Sequence, residues 1–196
     1  MPLTDVDRLI LDRWTEVTAL RRAFDELIER MHEPIEIASH RAVRRCQEMG
    51  MSADFESKYP SLDLWKETWA TRQGSAEIYL RIGGFAPREY CESDCAHPWL
   101  WVMMAERVSI FRQADRGPFI RDLRTHLGSD AARWEHPEVD DAIQPLGRYC
   151  TDISEADRIR WMSHPDELVE FLSKGIEELM TLAPTIDAVL DKYRRR

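Results

Sequence analysis

The sequence predicts an α+β fold: a long N-terminal helical hairpin, a small and mostly antiparallel sheet of three to four strands, and C-terminal helices. Three observations carry this. Apolar residues recur every three or four positions from Val6 to Met31, the period changes to two at Ile78, Leu80 and Ile82, and helical spacing returns from Leu168 onward. At 196 residues, with no repeat, low-complexity tract or Gly/Ser linker, one α+β domain over 1–196 is expected. It divides into a helical hairpin over 4–50, a helix plus sheet region over 61–151, and C-terminal helices over 154–196.

Thr4 followed by Asp7 is a helix start with an acidic third position, and the apolar row runs Val6, Ile10, Trp14, Val17, Leu20, Phe24, Leu27, Met31. That row marks one face of a helix of about 28 residues, roughly 42 Å long. Pro34 interrupts the pattern, which resumes through Ala38, Ala42, Val43 and Cys46 until Gly50 supplies a C-cap. The two segments form either a hairpin or one bent rod. Ser61 as N-cap, with Leu62, Trp65 and Trp69 following, predicts a third short helix.

Glu77, Tyr79 and Arg81 alternate with Ile78, Leu80 and Ile82, the signature of a half-buried strand ended by Gly83 and Gly84. Trp99 to Met104 is apolar at every position and reads as a central strand, antiparallel to the first. Val108 to Phe111 is expected to add a third strand and Leu146 to Thr151 a fourth. Pro118 to Leu127 reads as a helix closed by Gly128, and Trp134 to Asp141 as an exposed acidic loop. Ser154 with Asp157, then Pro165, then Pro184 open the C-terminal helices, whose apolar faces include Leu168, Leu172, Ile176 and Leu179, then Ile186, Val189 and Tyr193.

Composition narrows the function classes. A net charge of −9 disfavours a broad electrostatic grip on nucleic acid, which needs concentrated Lys and Arg. No stretch approaches the roughly 20 apolar residues of a membrane span. Thr4, Asp5 and Asp7 stand where a secretory signal would be basic, so a cytoplasmic location and free thiols at Cys46, Cys91, Cys95 and Cys150 are expected.

Two constellations have the residue types for chemistry. Cys91, Cys95 and His97 lie within seven residues, with Cys150 able to join them through the sheet. Thiolate and imidazole suit zinc, but C-x3-C-x-H lacks the usual second pair, so no metal is expected. Arg121 and His126 form an R-x4-H pair. That pair resembles the short Arg-His pattern of HEPN ribonucleases, in which both residues act on an RNA phosphate. The resemblance covers six residues and implies an all-helical bundle, at odds with the strand signals. The layout of helices before a small sheet is also similar to some divergent PD-(D/E)XK nucleases. Their paired acids and lysine, which hold a divalent metal, are not supplied by Glu77-Ile78-Tyr79 and the strand after it, so no residue carries over.

The sequence has no G-x-S-x-G, no phosphate-binding Gly-rich loop, no H-E-x-x-H and no dinucleotide fingerprint, so neither a catalytic set nor a cofactor is assigned. The expected function is therefore a non-enzymatic protein-interaction, accessory or inhibitor role. It acts through an acidic surface and the amphipathic, coiled-coil-like N-terminal helices, with Trp14, Val17, Leu20, Phe24, Leu27 and Met31 meeting a protein partner or a second copy. The alternative is a nuclease-like enzyme using Arg121 and His126 or a metal.

Overall fold

The structure, a computed structural model, describes residues 3–56, 60–85, 97–134 and 143–194. The chain comprises two compact units, Met1–Glu33 and Pro34–Arg196. In the first, α1 (Asp5–Asp12) starts on a reciprocal cap: the Asp7 N–H donates to Thr4 Oγ1 at 3.2 Å and the Thr4 N–H to Asp7 Oδ2 at 2.7 Å. This pairing satisfies donors that every helix start leaves open. Helix α2 (Trp14–Glu48) begins in the first unit and ends in the second.

The expected hairpin is corrected here, because Pro34 lies inside α2 and the helix runs through it. A proline removes one backbone hydrogen bond and clashes with the carbonyl four residues before it, at a cost of about 3 kcal/mol. No Gly, Asn or Asp stands between Met31 and Ile35 to stabilise a turn instead. Beyond the proline, Ile35, Ala38, Ala42 and Cys46 are buried in the core of the second unit, which offsets that cost. Gly50, at φ 75°, then stops the helix in the left-handed region.

The second unit is built on a five-stranded antiparallel sheet in the order β1 (Ser52–Glu56), β2 (Ser61–Trp65), β3 (Ile78–Gly83), β4 (Trp99–Met104), β5 (Leu146–Tyr149). Each strand pairs with its sequence neighbour, so the count exceeds the three to four expected. Two strands, Ser52–Glu56 and Ser61–Trp65, come in addition to those expected, the second in place of the third short helix. Ser61–Trp65 is a strand, and only Glu67–Trp69 after it turns helically, as a single 3-10 turn. Leu62 and Leu64 alternate into the core opposite Ile82 and Leu80, and Asp63 sits opposite Arg81, so cross-strand pairing outweighs the local helix signal.

Val108 to Phe111 is not a strand. The backbone N–H groups of Ser109 and Ile110 donate to the Glu77 carboxylate at 2.6 and 2.8 Å and are taken out of any ladder. The fourth strand expected from Leu146 is present as β5.

Helix α3 (Arg116–Leu127) follows β4, α4 (Glu155–Ser163) starts on a Ser154 and Asp157 capping box, α5 (Pro165–Met180) has its proline in the first turn, and α6 (Ala183–Arg194) is last. One sheet face, with Leu64, Leu80, Val102 and Leu146 in register, packs on Leu172, Ile176 and Leu179 of α5, and α6 packs on α3 and α5 in the same core. Gly175 lets α5 approach closely, since a Cβ there would sit 2.8 Å from Ile82 Cδ1 and 3.2 Å from Leu100 Cδ2. The opposite face carries Trp99 and Trp101, stacked at 4.1 Å and leaning over Gly83 and Gly147, beside a two-point Arg81–Asp63 pair at 2.6 Å for both contacts. No helix among the described residues is long and apolar enough to cross a membrane.

Candidate functional site

The apolar row on the N-terminal helices is open. Trp14 is 61% exposed and Leu20 73%, and Val17, Phe24 and Leu27 are exposed as well. Met31, the last residue of the expected interaction set, is buried at 8%, as is Ile28 at 2%. The open part of the row therefore ends at Leu27. Toward the chain start Val6 and Ile10, the first members of the row, are exposed as well, as are Leu3, Leu9 and Leu11 beside it. Arg22, Asp25 and Glu26 occupy the other side of α2 and are exposed too, so from Trp14 to Leu27 the helix is amphipathic with both faces in water.

A groove of about 560 Å³ lies in the second unit between β4, β5, α4 and α5, lined by Arg148, Cys150, Trp161, Phe171, Lys174 and Glu178 among others. Its side chains come from positions far apart in sequence and carry no spacing that reveals it beforehand. Arg148 grips Glu178 through two nitrogens, its Nε at 2.5 Å, and Arg133 reaches the same carboxylate at 2.8 Å. Arg160 pairs with Glu167 at 2.6 Å and Asp157 at 3.2 Å, and Lys174 with Glu170 at 2.7 Å. Cations and carboxylates here neutralise one another, tying α5 to β5 through Arg148 and α4 to α5 through Arg160. Burial pushes the Cys150 thiol up to about 11, against the opposing pull of Arg148, which leaves it protonated and a poor nucleophile at neutral pH.

Arg121 and His126 both lie on α3 and are exposed, but five residues of helix rotate them roughly 140° apart. His126 Nδ1 lies 2.8 Å from the Asp122 carbonyl, a contact within its own helix. Between them Asp122 accepts from the Tyr193 hydroxyl at 2.7 Å and from Lys192, which binds α3 to α6. The structure thus does not bring Arg121 and His126 onto one face. The sheet also departs from the all-helical bundle that the HEPN resemblance implies.

Cys91 and Cys95 lie outside the described residues, as does most of the acidic stretch after Trp134. His97 Nδ1 lies 3.2 Å from the Ile153 carbonyl, and Cys150 is buried. Among the described residues no three His, Cys, Asp or Glu side chains converge as a metal site would require. Glu77, the acid beside the first predicted strand, spends its carboxylate on Ser109 and Ile110.

Comparison of the chain with protein-family models, with curated proteins and with solved structures finds no match.

Proposed function

We propose that this is a protein-interaction protein, of accessory or inhibitor type, acting through its N-terminal helices. The observation that supports this reading is the exposure of Trp14, Val17, Leu20, Phe24 and Leu27 along one helical row with charged residues behind it. Burying one large apolar side chain contributes about 1.5–3 kcal/mol, so such a row left in water carries a strong drive to be covered. The net charge of −9 discourages indiscriminate sticking, so that covering this row depends on a specific fit.

The test uses the full chain with Leu20→Glu and Leu27→Glu. Both side chains are exposed, so cooperative unfolding of the protein is expected to persist with a melting temperature within about 3 °C of the parent. Assembly mass measured by light scattering, of the chain alone or with its partner, is expected to fall. Loss of cooperative unfolding in both variants would mean that the row is core, and the reading fails.

A further inference from the structure

We propose that the N-terminal row pairs with the same row of a second copy, antiparallel, to make a twofold-symmetric dimer. This rests on the interaction reading above and names the partner.

The register is the first argument. From Val6, steps of four and three residues alternate through Ile10, Arg13, Val17, Leu20, Phe24 and Leu27, about three heptads of a and d positions with one polar member. The seam crosses the boundary between α1 and α2 without losing phase. Arg13 leaves helical geometry there, yet its N–H still donates to the Leu9 carbonyl at 3.1 Å and its carbonyl accepts from the Val17 N–H at 2.9 Å. A regular seam of this length, exposed at its apolar positions, matches what helix pairing needs and exceeds what solubility tolerates.

Charge decides the direction. In a parallel pair Arg13 of one copy would face Arg13 of the other inside the seam, two like charges withdrawn from water. In an antiparallel pair centred between Trp14 and Glu16, Arg13 faces Val17 of the second copy, close to its Glu16. Glu16 already pairs with Arg13 within one chain at 3.0 Å, so the contact exchanges one partner for its equivalent. The remaining helical layers are apolar: Val6 against Phe24 and Ile10 against Leu20. On one flank Asp7 meets Arg21 of the second copy twice and the two exposed Trp14 rings meet beside the twofold axis; on the other flank the two Glu16 carboxylates approach each other, each neutralised by an Arg13. The contact is isologous, so it closes at two copies and leaves no seam for a third.

The full chain is examined by sedimentation equilibrium from about 1 to 100 μM, a range that brackets ordinary dimer affinities. The expected mass is twice the 23.0 kDa of the chain, and Leu20→Glu is expected to weaken dimerisation at least about tenfold while unfolding stays cooperative. Orientation is read by disulfide trapping in a Cys91→Ser, Cys95→Ser background. Mixed Val6→Cys and Phe24→Cys chains are expected to crosslink to each other, and neither to itself.

A parent chain that stays monomeric, a dimer indifferent to Leu20→Glu, or self-crosslinking of Phe24→Cys each overturns the antiparallel dimer. If the parent is monomeric while Leu20→Glu still melts cooperatively, the dimer fails and the interaction reading survives. If Leu20→Glu and Leu27→Glu both abolish cooperative melting, both readings fail. If only Leu20→Glu does, the milder Leu20→Asn serves as the second variant, and a dimer it does not weaken is equally fatal to the proposal.

Discussion

Glu77 and Ser109 are joined at two points: the Ser109 hydroxyl donates to Glu77 Oε1 at 2.5 Å and its backbone N–H to Oε2 at 2.6 Å. Glu77 is 95% covered, and Oε2 also accepts from the Ile110 N–H at 2.8 Å. One buried carboxylate thus does for this segment what a neighbouring strand would have done, and it satisfies donors that are costly to leave unmet.

Glu77→Ala removes the acceptor for three donors. We expect a loss of about 2–3 kcal/mol in urea unfolding, a drop in melting temperature of roughly 5–10 °C, with Glu77→Gln between the two. An alanine variant as stable as the parent would show that water replaces the carboxylate without cost.

Two of the tight glycines, Gly83 and Gly175, should respond differently. A Cβ at Gly83 would lie 2.2 Å from the Trp99 ring, so Gly83→Ala must displace a stacked indole and is expected to cost about 1–3 kcal/mol. At Gly175 the obstacle is the tip of Ile82 at 2.8 Å, and alanine gains roughly 1 kcal/mol of helix propensity, so the net change should be small. Denaturant midpoints giving the reverse order would contradict this packing.

The Lys192 ammonium, and after it the Tyr193 hydroxyl, hold the Asp122 carboxyl below its ordinary 3.8. A depressed carboxylate binds fewer protons in the folded state, so its contribution is fully present above the unfolded value and is lost as pH falls through the folded one. Asp122→Asn is expected to cost about 1 kcal/mol at pH 7, solvent screening of this partly exposed pair included, and progressively less as the pH falls below 3.8, measured by urea unfolding across that range. A deficit that does not change with pH would mean that the carboxylate charge is irrelevant to the α3 and α6 contact.

Burial pushes the thiols of Cys46 and Cys150 up to about 11, where the thiolate that reacts is scarce at pH 8. Iodoacetamide labelling followed by peptide mass analysis is expected to be at least about 100-fold slower at both positions in native protein than in urea. Rapid native labelling of either would place that sulfur at the surface.

Much of this architecture is legible in the chain because its signals are local. Thr4 with Asp7, Ser154 with Asp157, and Pro165 start helices through contacts within one turn, and Gly50 and Gly128 end them in conformations that glycine adopts without strain. The strands Ile78–Gly83 and Trp99–Met104 are marked by alternation and by continuous apolarity, which follow from how many faces are covered. The candidate surface is legible in the same sense, as the spacing from Trp14 to Leu27 picks out one helical face.

What the sequence determined by itself is therefore the class of the fold, the caps that bound most helices, and which side of each element is apolar. Only the tertiary structure decided what those sides meet. Ser61–Trp65 carries a helix start and a strand alternation at once, and pairing with β1 and β3 selects the strand. Pro34 reads as a stop, yet burial of Ile35 and Ala38 beyond it keeps α2 unbroken. Leu20 and Ile28 lie on the same helix and have similar hydrophobicity, but one is 73% exposed and the other 2%. Periodicity records the direction in which a side chain points, whereas its burial depends on residues distant in sequence, and no local pattern encodes that.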